Sequence, residues 1–326
     1  MMTTFESDSR ATVRNCALAI ACSSEPVGAT KEATRMSTAA LSSMRSCQPS
    51  VPSPRRAQRL VEILDLLTTR GPMSVDALCN ELRVSPATLR RDMTHLEDQS
   101  LVIRTRGGAR ANTGRELPVR LRDTKEPQAK RAIAITAAAL VPVNRPLAVA
   151  IGGGSTAAEV ARELGRRRRL TIVTNALTTA VAVAARPNLQ VIMTGGVIRA
   201  SSLELVGSLA ETTFNGISVN LAILGADGVS ATHGVTTHDH TEARTNHAMV
   251  THAHRLMVVA DSSKIGRTTV AKVADASAID VLVTDASADP RELAALAELG
   301  VTVHVTPSRR RTQCRSSSAA GRRRTR

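Results

Sequence analysis

Apolar residues recur at helical spacing from Arg55 onward. In the stretch "RRAQRLVEILDLLTTRG" they include positions 60, 63, 64 and 67, and the stretch runs into Gly71–Pro72. Apolar residues three and four apart lie on one face of a helix, and a Gly-Pro pair ends one. The pattern therefore predicts an amphipathic helix that starts near Arg55 and stops before Gly71.

Two shorter helices and a ribbon follow. "SVDALCNELRV" begins with Ser74, and "SPATLRRDMTHLEDQS" begins with Ser85 and Pro86. Serine is a favoured N-cap and proline is favoured at the first helical position. The stretch "LVIRTRGGARA" then predicts two short strands that turn at Gly107–Gly108. Three helices and a hairpin within residues 55–112 are typical of a winged helix-turn-helix, an α+β fold.

Beyond a polar stretch at residues 113–130, predicted to be a linker, apolar runs alternate with helix-length segments over residues 131–306. This alternation is typical of an α/β domain with a parallel sheet. The apolar runs begin at Leu147, Leu170, Leu189, Leu221, Leu256, Ile279 and Val301.

The two ends of the chain lack such periodicity. Residues 1–54 are rich in Ser, Thr and Ala, so we predict a disordered segment, with Met36 and Met44 as alternative starts. The tail, residues 307–326, carries eight arginines and no acidic residue and is also predicted to be disordered. Because the net charge of the chain is +15, more than half of it lies in this tail. The charge by itself is therefore weak support for DNA binding.

Composition narrows the class of protein. The chain has no Trp, no Tyr and two Phe, so it lacks the aromatic platforms on which single-stranded nucleic acids stack. Its five cysteines show no metal or redox spacing, and their odd number fits a reducing compartment. No apolar run approaches the roughly 20 residues that span a bilayer. We therefore expect a cytoplasmic protein that does not enter the membrane.

A glycine-rich loop stands between the first apolar run and a helical pattern in "LAVAIGGGSTAAEVAREL", residues 147–164. The first N–H groups of a helix have no partner within it, so a helix that follows such a loop binds phosphate well. We expect backbone N–H groups and hydroxyls of Gly153, Gly154, Ser155 and Thr156 to hold a small phosphate. Lys264 would add a positive charge.

Small or polar residues also stand at the ends of the other apolar runs, in "TN", "TGG", "GADG", "ADSSK" and "TD". Open α/β sheets bind ligands at the carboxyl ends of their strands, so the pattern predicts one shared site. The further candidate residues are Asn175, Gly195, Gly196, Asp227 and Glu242.

Other interpretations of the glycine loop remain open. Gly152, Gly154 and Ala157 satisfy the dinucleotide pattern G-x-G-x-x-[GA], but the second strand ends in Asn175 where that fold has an acidic residue for the ribose. No lysine lies between the glycines and Ser155, which excludes a P-loop. A glycine turn without a ligand is the remaining alternative.

The third predicted helix carries the groups that a recognition helix needs. Such a helix enters the major groove with donors near its N-terminus. The candidate DNA contacts are Ser85, Thr88, Arg90 and Arg91 on the helix and Arg104 and Arg106 on the wing. The alternative is that these arginines are ordinary solvated charges.

Together these motifs resemble one family. Arg59, Ile63 and Leu67, then "SPATLRRDM" and "LVIRTRGGA", are similar to the N-terminal signature of the DeoR family of bacterial transcriptional regulators. "GGGSTAAEVA", "TIVTNAL", "MTGG", "LGADGV", "GVTT" and "ADSSKIG" follow in the order that the family has. The resemblance covers about residues 56–285, with Gly152 where the family usually has Asp. It implies a winged helix-turn-helix followed by an α/β parallel-sheet sensor domain related to ribose-5-phosphate isomerase.

Enzymatic and metal-binding alternatives are weaker. Asp227 and Glu242 stand where the isomerase has acidic residues, but Leu224 replaces another carboxylate and "THGVTTHDH" replaces a lysine-containing loop. We therefore expect no catalytic residues. His240, His247 and His254 are seven residues apart, a rise of about 10.5 Å in a helix, which is too far for one zinc ion. We expect neither a metal nor a cofactor.

The sequence thus predicts a repressor of a carbohydrate-metabolism operon that binds double-stranded operator DNA and is released by a phosphorylated sugar or a related metabolite. We expect a homo-oligomer held together by residues 131–306, since specific sites are commonly bound by symmetric dimers. The alternatives are a sugar-phosphate isomerase-like enzyme with an appended DNA-binding module and a structural nucleoid protein.

Overall fold

The computed structural model describes residues 52–143 and 145–307. The predictions for the first 51 residues, including Met36 and Met44, and for the tail from residue 308 lie outside the described residues.

The N-terminal part is a winged helix-turn-helix, as predicted. Its helices are α1 (Pro54–Arg70), α2 (Val75–Leu82) and α3 (Pro86–Asp98), and its strands are β1 (Met73–Ser74), β2 (Val102–Thr105) and β3 (Gly108–Ala111). The strands form one antiparallel sheet in the order β1-β3-β2. Both predicted serine caps are present: Ser74 Oγ accepts from the Ala77 N–H at 3.1 Å, and Ser85 Oγ accepts from the Thr88 N–H at 3.3 Å.

The apolar stripe predicted for α1 is the centre of the winged-helix core. Leu60, Ile63 and Leu67 are buried there against Leu89 of α3. Leu121, which lies beyond the wing, is buried in the same core. The winged helix is therefore completed by a residue from the segment that leads to the second domain.

The segment between the two domains carries a short helix, α4 (Val119–Arg122), and the next helix, α5 (Pro127–Leu140), begins the α/β part. The remaining helices are α6 (Ser155–Leu164), α7 (Leu177–Val183), α8 (Ser208–Asn215), α9 (His240–Thr251) and α10 (Pro290–Glu298). Short 3-10 turns occupy Ser262–Lys264 and Ala276–Ala278. Within the described ranges, no helix is both long enough and apolar enough to cross a membrane.

Twelve strands belong to the α/β part. They are β4 (Leu147–Ile151), β5 (Leu170–Thr174), β6 (Leu189–Met193), β7 (Val197–Arg199), β8 (Glu204–Val206), β9 (Leu221–Gly225), β10 (Gly228–Ser230), β11 (Gly234–Thr237), β12 (Leu256–Val259), β13 (Ala271–Ala274), β14 (Val281–Asp285) and β15 (Thr302–Thr306).

Seven of these strands form the predicted parallel sheet, in the order β15-β14-β12-β9-β4-β5-β6. The seven apolar runs of the sequence supply them; the last two strands begin at Val281 and Thr302, slightly later than the runs do. β4 pairs with β5 on one side and with β9 on the other. The strand order therefore reverses between β4 and β9, the position at which open α/β sheets bind their ligands.

Each face of the parallel sheet packs on its own apolar cluster. On one face Ile151 and Ile172 pack with Ile133 of α5 and Val160 of α6. The other face packs on a cluster that includes Phe214. Two small antiparallel sheets, β10-β11-β13 and β7-β8, extend from the domain. Nearly all of this core is aliphatic, which agrees with the scarcity of aromatic residues.

Candidate ligand cavity and nucleic-acid interface

A cavity of about 600 Å³ opens at the carboxyl ends of β4, β9 and β12 and extends along the interdomain segment to α1, where Gln58 and Asp65 line it. It is lined by the glycine loop Gly153–Thr156, by Gly225–Asp227 and by Lys264, and Glu242 of α9 also borders it. The structure thus brings together most of the predicted site residues. Asn175, Gly195 and Gly196 are not among the described residues that line the cavity, so three of the six strand ends contribute to it.

Gly152, Gly153 and Gly154 are glycines for different structural reasons. A side chain at Gly152 would begin 2.9 Å from Leu224 Cδ1, and a side chain at Gly153 would overlap the carboxyl group of Glu204. Gly154 has a φ of +95°, which L side chains rarely adopt, but the space around its missing Cβ is open. Gly152 and Gly153 can therefore approach their neighbours closely only because they carry no side chains.

The N-terminus of α6 faces this cavity without a cap. Gly154 is its N-cap and provides no side chain to accept a hydrogen bond. The first intrahelical hydrogen bond joins the Ala158 N–H to the Gly154 carbonyl at 3.1 Å, which leaves the preceding N–H groups without a helical partner. Ser155 and Thr156 line the cavity, and their hydroxyl groups bond to no other side chain or backbone group in the described part of the chain. This end of the cavity is suited to an anion.

A buried carboxyl group lies on the other side of the loop. Glu204 is 3% exposed, and its Oε2 accepts from Asn175 Nδ2 at 3.1 Å and from Asn246 Nδ2 at 3.2 Å. Burial, with the nearby negative charge of Glu242, raises the pKa of Glu204 well above its usual value. Asn175 therefore stands behind Glu204 and orients it rather than facing the cavity.

Asp227 is a buried carboxylate that two cations stabilise in the cavity. Burial by itself would raise its pKa, but Arg122 Nη1 at 2.8 Å and Lys264 Nζ at 4.0 Å outweigh burial and hold the pKa of Asp227 below its usual value. Burial also lowers the pKa of Lys264, against the pull of Asp227 and Asp261. The carboxylate of Asp227 is thus shared between two cations.

Asp227 belongs to a closed ring of polar side chains. From Asp227 the ring runs to Arg122, whose Nη2 donates to Glu116 Oε1 at 3.1 Å. It then passes through Arg199, which donates to Glu116 and, at 3.0 Å, to Glu242 Oε2. Thr237 closes it, because its hydroxyl group donates to Asp227 Oδ2 at 3.1 Å and its oxygen also lies beside Glu242 Oε1. The ring joins the interdomain segment to the cavity.

Five members of this site were not predicted from the sequence: Glu116, Arg122, Lys130, Arg199 and Glu204. Lys130 is 4% exposed, and burial lowers its pKa to about 8. Three of the five lie in the polar stretch that predicted a linker, where charged residues resemble a solvated surface. The available signal was the apolar positions 117, 119 and 121 among those charges, which indicate a packed segment.

The histidine-rich region forms no metal site in the described residues, where no cluster of three His, Cys, Asp or Glu side chains is suitable for a metal ion. His247 Nδ1 lies 2.8 Å from the Val273 carbonyl oxygen, and His252 Nδ1 lies 3.0 Å from the Ala248 carbonyl oxygen. These two histidines therefore have structural roles.

The predicted recognition helix presents its arginines to solvent. Arg90 and Arg91 are exposed, whereas the next residue, Asp92, is 1% exposed. Asp92 binds Arg56 Nε at 2.9 Å and Arg59 Nε at 2.6 Å, so it fastens α3 to α1. This ion pair fixes the angle at which α3 is presented.

The wing and the start of α3 have mixed roles. Arg106 is exposed beside the turn of the wing. Arg104 binds Glu97 Oε2 at 2.6 Å and donates to Thr94 Oγ1 at 2.7 Å, which ties the wing to α3. The Ser85 and Thr88 hydroxyls are 3.0 Å apart and cap the helix. Arg90, Arg91 and Arg106 are thus the freest of the candidate DNA contacts.

A winged helix-turn-helix joined to a domain with a polar cavity defines a DNA-binding regulator that senses a ligand. Residues 59–115 match the DeoR-like helix-turn-helix domain, and residues 125–286 match the DeoR C terminal sensor domain. The chain belongs to the DeoR family of transcriptional regulators.

Relatives that are matched over most of their own length support this assignment. The chain is 33% identical to the HTH-type transcriptional regulator GlpR of Haloferax volcanii, over 76% of this chain and 96% of that protein. It is 31% identical to a putative aga operon transcriptional repressor of Escherichia coli, over 76% and 93%. It is 29% identical to the glycerol-3-phosphate regulon repressor of Escherichia coli, over 71% and 92%. The family is thus one of regulators, not of enzymes.

Among solved structures, ribose 5-phosphate isomerase A of Methanocaldococcus jannaschii is similar with a TM-score of 0.33 and 20% identity. The match covers 45% of this chain and 56% of that one.

Proposed function

We propose that this protein represses a carbohydrate-metabolism operon and leaves its operator when a phosphorylated sugar or a related metabolite fills the cavity. The observation that carries the proposal is the uncapped N-terminus of α6 beside Lys264, at the point where the strand order reverses. Backbone N–H groups, two hydroxyls and an ammonium group are donors of the kind that a phosphate accepts.

The other side of the cavity fits the hydroxyl groups of such a metabolite. Asp227 accepts hydrogen bonds, and burial raises the pKa of Glu204, which favours a neutral carboxyl group that can both donate and accept. Glu242 and Asn246 border the same space. A phosphate at one end and several hydroxyls at the other describe a sugar phosphate better than a nucleotide, since the described residues that line the cavity include no Phe, Tyr or Trp on which a base would stack.

The proposed DNA contacts are Arg90 and Arg91 at base edges or phosphates, Arg106 at the backbone or minor groove, and Ser85 and Thr88 at phosphates near the N-terminus of α3. Arg104 would reach DNA only by sharing its pairing with Glu97. We place the protein in the cytoplasm, where a prokaryotic regulator meets its operator.

We also propose that the α/β domain associates with a second copy. Val197, Ile198 and Leu209 are 73%, 55% and 66% exposed, and the edge strand β6 lies in the same part of the domain. Exposed apolar side chains beside an unpaired strand edge are typical of an association surface. A dimer would place two recognition helices on the half-sites of one operator.

The test of the ligand class is thermal unfolding of the full-length chain in the presence of triose, pentose and hexose phosphates, each compared with the unphosphorylated sugar and with inorganic phosphate. A ligand at 100 times its dissociation constant stabilises the folded state by about 2.7 kcal/mol. Operator DNA, selected from a random duplex pool, is then titrated with the sugar phosphate that raises the unfolding temperature most.

Two variants of the cavity sharpen this test. Lys264→Ala and Thr156→Val should weaken binding of the sugar phosphate and leave operator affinity unchanged. Lys272→Ala is the matched control, because Lys272 is exposed, pairs with Asp275 and does not line the cavity. The proposed ligand class is wrong if no sugar phosphate stabilises a chain that binds its operator. The proposed phosphate site at the N-terminus of α6 is wrong if the sugar phosphate stabilises the Lys264→Ala variant as much as it stabilises the Lys272→Ala control.

A further inference from the structure

Helix α4 belongs to both domains at once. Leu121 is 1% exposed in the winged-helix core, and the next residue, Arg122, directs its guanidinium group into the ligand cavity. The Val119 N–H donates to the Ser201 carbonyl oxygen at 2.8 Å, in the turn between β7 and β8. Because adjacent residues of one helical turn move together, a displacement of Arg122 also displaces Leu121.

In the structure Arg122 is held by the polar ring. It binds Asp227 at 2.8 Å and Glu116 at 3.1 Å, and its side chain is 14% exposed. Lys130 secures the same segment from α5, because its Nζ donates to the carbonyl oxygens of Arg122 and Lys125, both at 2.6 Å. Ion pairs and charged hydrogen bonds therefore hold Arg122 and its segment against the cavity.

Arg122 retains an unused donor. Its Nε is buried and has no hydrogen-bond partner in the described part of the chain. A guanidinium group binds phosphate oxygens through two parallel N–H groups. Arg122 therefore has the donors needed to exchange its carboxylate partners for an anion in the cavity. Asp227 also lies 4.0 Å from Lys264, so this carboxylate keeps a counter-ion when Arg122 leaves it.

We propose that Arg122 is the residue through which a bound ligand reaches the winged helix. Its guanidinium group transfers from Asp227 and Glu116 to the anionic group of the ligand, α4 follows, and Leu121 shifts in the winged-helix core. This rests on the proposed function, since it requires an anion in the cavity. The ligand then has different affinities for the two arrangements, which is the requirement for coupling to DNA.

The test is hydrogen exchange of the full-length chain, read by mass spectrometry, with and without inorganic phosphate at constant ionic strength. In the parent, phosphate should speed exchange of the amides in residues 113–126 roughly fivefold or more, the lower end of allosteric coupling factors. In Arg122→Ala these amides should exchange fast without phosphate, and phosphate should add nothing. Arg120→Ala, an exposed residue of the same helix, is the matched control and should behave like the parent.

A second variant guards against a chain that does not fold. Arg122→Lys keeps a positive charge but lacks the planar fork that joins Asp227 and Glu116. The increase in exchange rate that phosphate causes in residues 113–126 should therefore be smaller in Arg122→Lys than in the parent. Phosphate should still slow exchange in residues 152–158, which contain the glycine loop.

Three results would overturn the proposal. If segment 113–126 exchanges at the parent rate in Arg122→Ala without phosphate, the ring does not hold α4. If phosphate protects the glycine loop of the parent and leaves segment 113–126 unchanged, the phosphate site stands but Arg122 does not transmit its occupancy. If phosphate alters neither region, the phosphate site itself is wrong, and the role of Arg122 falls with it.

Discussion

The carboxyl group of Glu204 occupies the space that a side chain on Gly153 would fill. The two residues come from β8 and from the loop after β4, and their contact places a buried acid directly behind the phosphate loop. Because Gly153 does not have a positive φ, its requirement for glycine is a matter of space and not of backbone conformation.

This contact predicts a compensating pair of substitutions. Gly153→Ala should lower the free energy of unfolding by about 1–3 kcal/mol, because the new methyl group overlaps Glu204. In a Glu204→Ala background the same change should cost much less, since the obstacle is gone. Urea unfolding of the parent, both single variants and the double variant measures this coupling. Additive costs would show that Gly153 is glycine for another reason.

The raised pKa of Glu204 predicts a pH-dependent stability. A carboxyl group whose folded pKa exceeds its unfolded value stabilises the fold below the unfolded pKa of 4.5, and this contribution is lost as the pH rises through the folded pKa. Glu204→Gln removes the titration with little change of shape. The stability of this variant relative to the parent should therefore increase with pH, as measured by urea unfolding from pH 5 to pH 9. A constant difference across this range would contradict the raised pKa.

The ion pairs of Asp92 predict that the stability of the winged helix depends on this one buried carboxylate. Asp92→Asn leaves Arg56 and Arg59 without their carboxylate partner. Losing one partner of a buried ion pair costs about 3–5 kcal/mol, and we expect the low end because the arginine side chains are 28% and 23% exposed. Chemical denaturation monitored by hydrogen exchange in α1 and α3 measures the loss. Asp98→Asn, an exposed change at the end of α3, is the control and should have little effect.

The exposed arginines of α3 predict a loss of specific DNA binding. Arg90→Ala and Arg91→Ala should each cost about 1–3 kcal/mol of operator binding where they contact bases. Arg131→Ala removes the same charge from an exposed position in α5 and should leave operator affinity nearly unchanged. Fluorescence anisotropy with selected operator DNA provides the measurement. If a folded chain carrying both α3 substitutions binds its operator as tightly as the parent, α3 is not the recognition helix.

The apolar surface near β6 predicts association of the chain. Light scattering at micromolar concentration should show a dimer or a larger species, and Leu209→Asp should shift it toward the monomer, because a charge would be buried at the contact. Val305→Asp lies on β15, at the opposite edge of the sheet, and should leave the mass unchanged. A parent chain that is monomeric with and without DNA would remove the association proposal.

Local patterns in the sequence were sufficient to predict the winged helix and the parallel sheet, but not the two small antiparallel sheets. Periodic apolar positions gave the helices of the winged domain, and each apolar run of the second domain became a strand of the parallel sheet. These predictions succeed because an amphipathic helix and a buried strand are each defined by residues close together in the chain. The phosphate loop and Lys264 were predicted for the same reason, since each follows directly from a strand end.

The rest of the site depends on contacts between distant residues. Glu204 sits in "LELV", where an acid between apolar residues looks like the solvent side of a strand. Its burial becomes apparent only when Asn175 and Asn246, from two other elements, are placed beside it. Arg122 is likewise one of many arginines in a polar stretch, and its partner Asp227 is far away in the chain. Pairing of this kind leaves no periodic signal.

The adjacency of Leu121 and Arg122 has a consequence for the recombination of domains. A chimera that joins this winged helix to the sensor of a relative cannot be cut between residues 113 and 126 without disturbing one of the domains. Leu121 packs against the helices of the first domain, and Arg122 pairs with charged residues of the second. The two domains can be exchanged among relatives only when the junction residues match both sides. A substitution at Leu121 or Arg122 therefore has to be tolerated by the packing of one domain and by the ion pairs of the other.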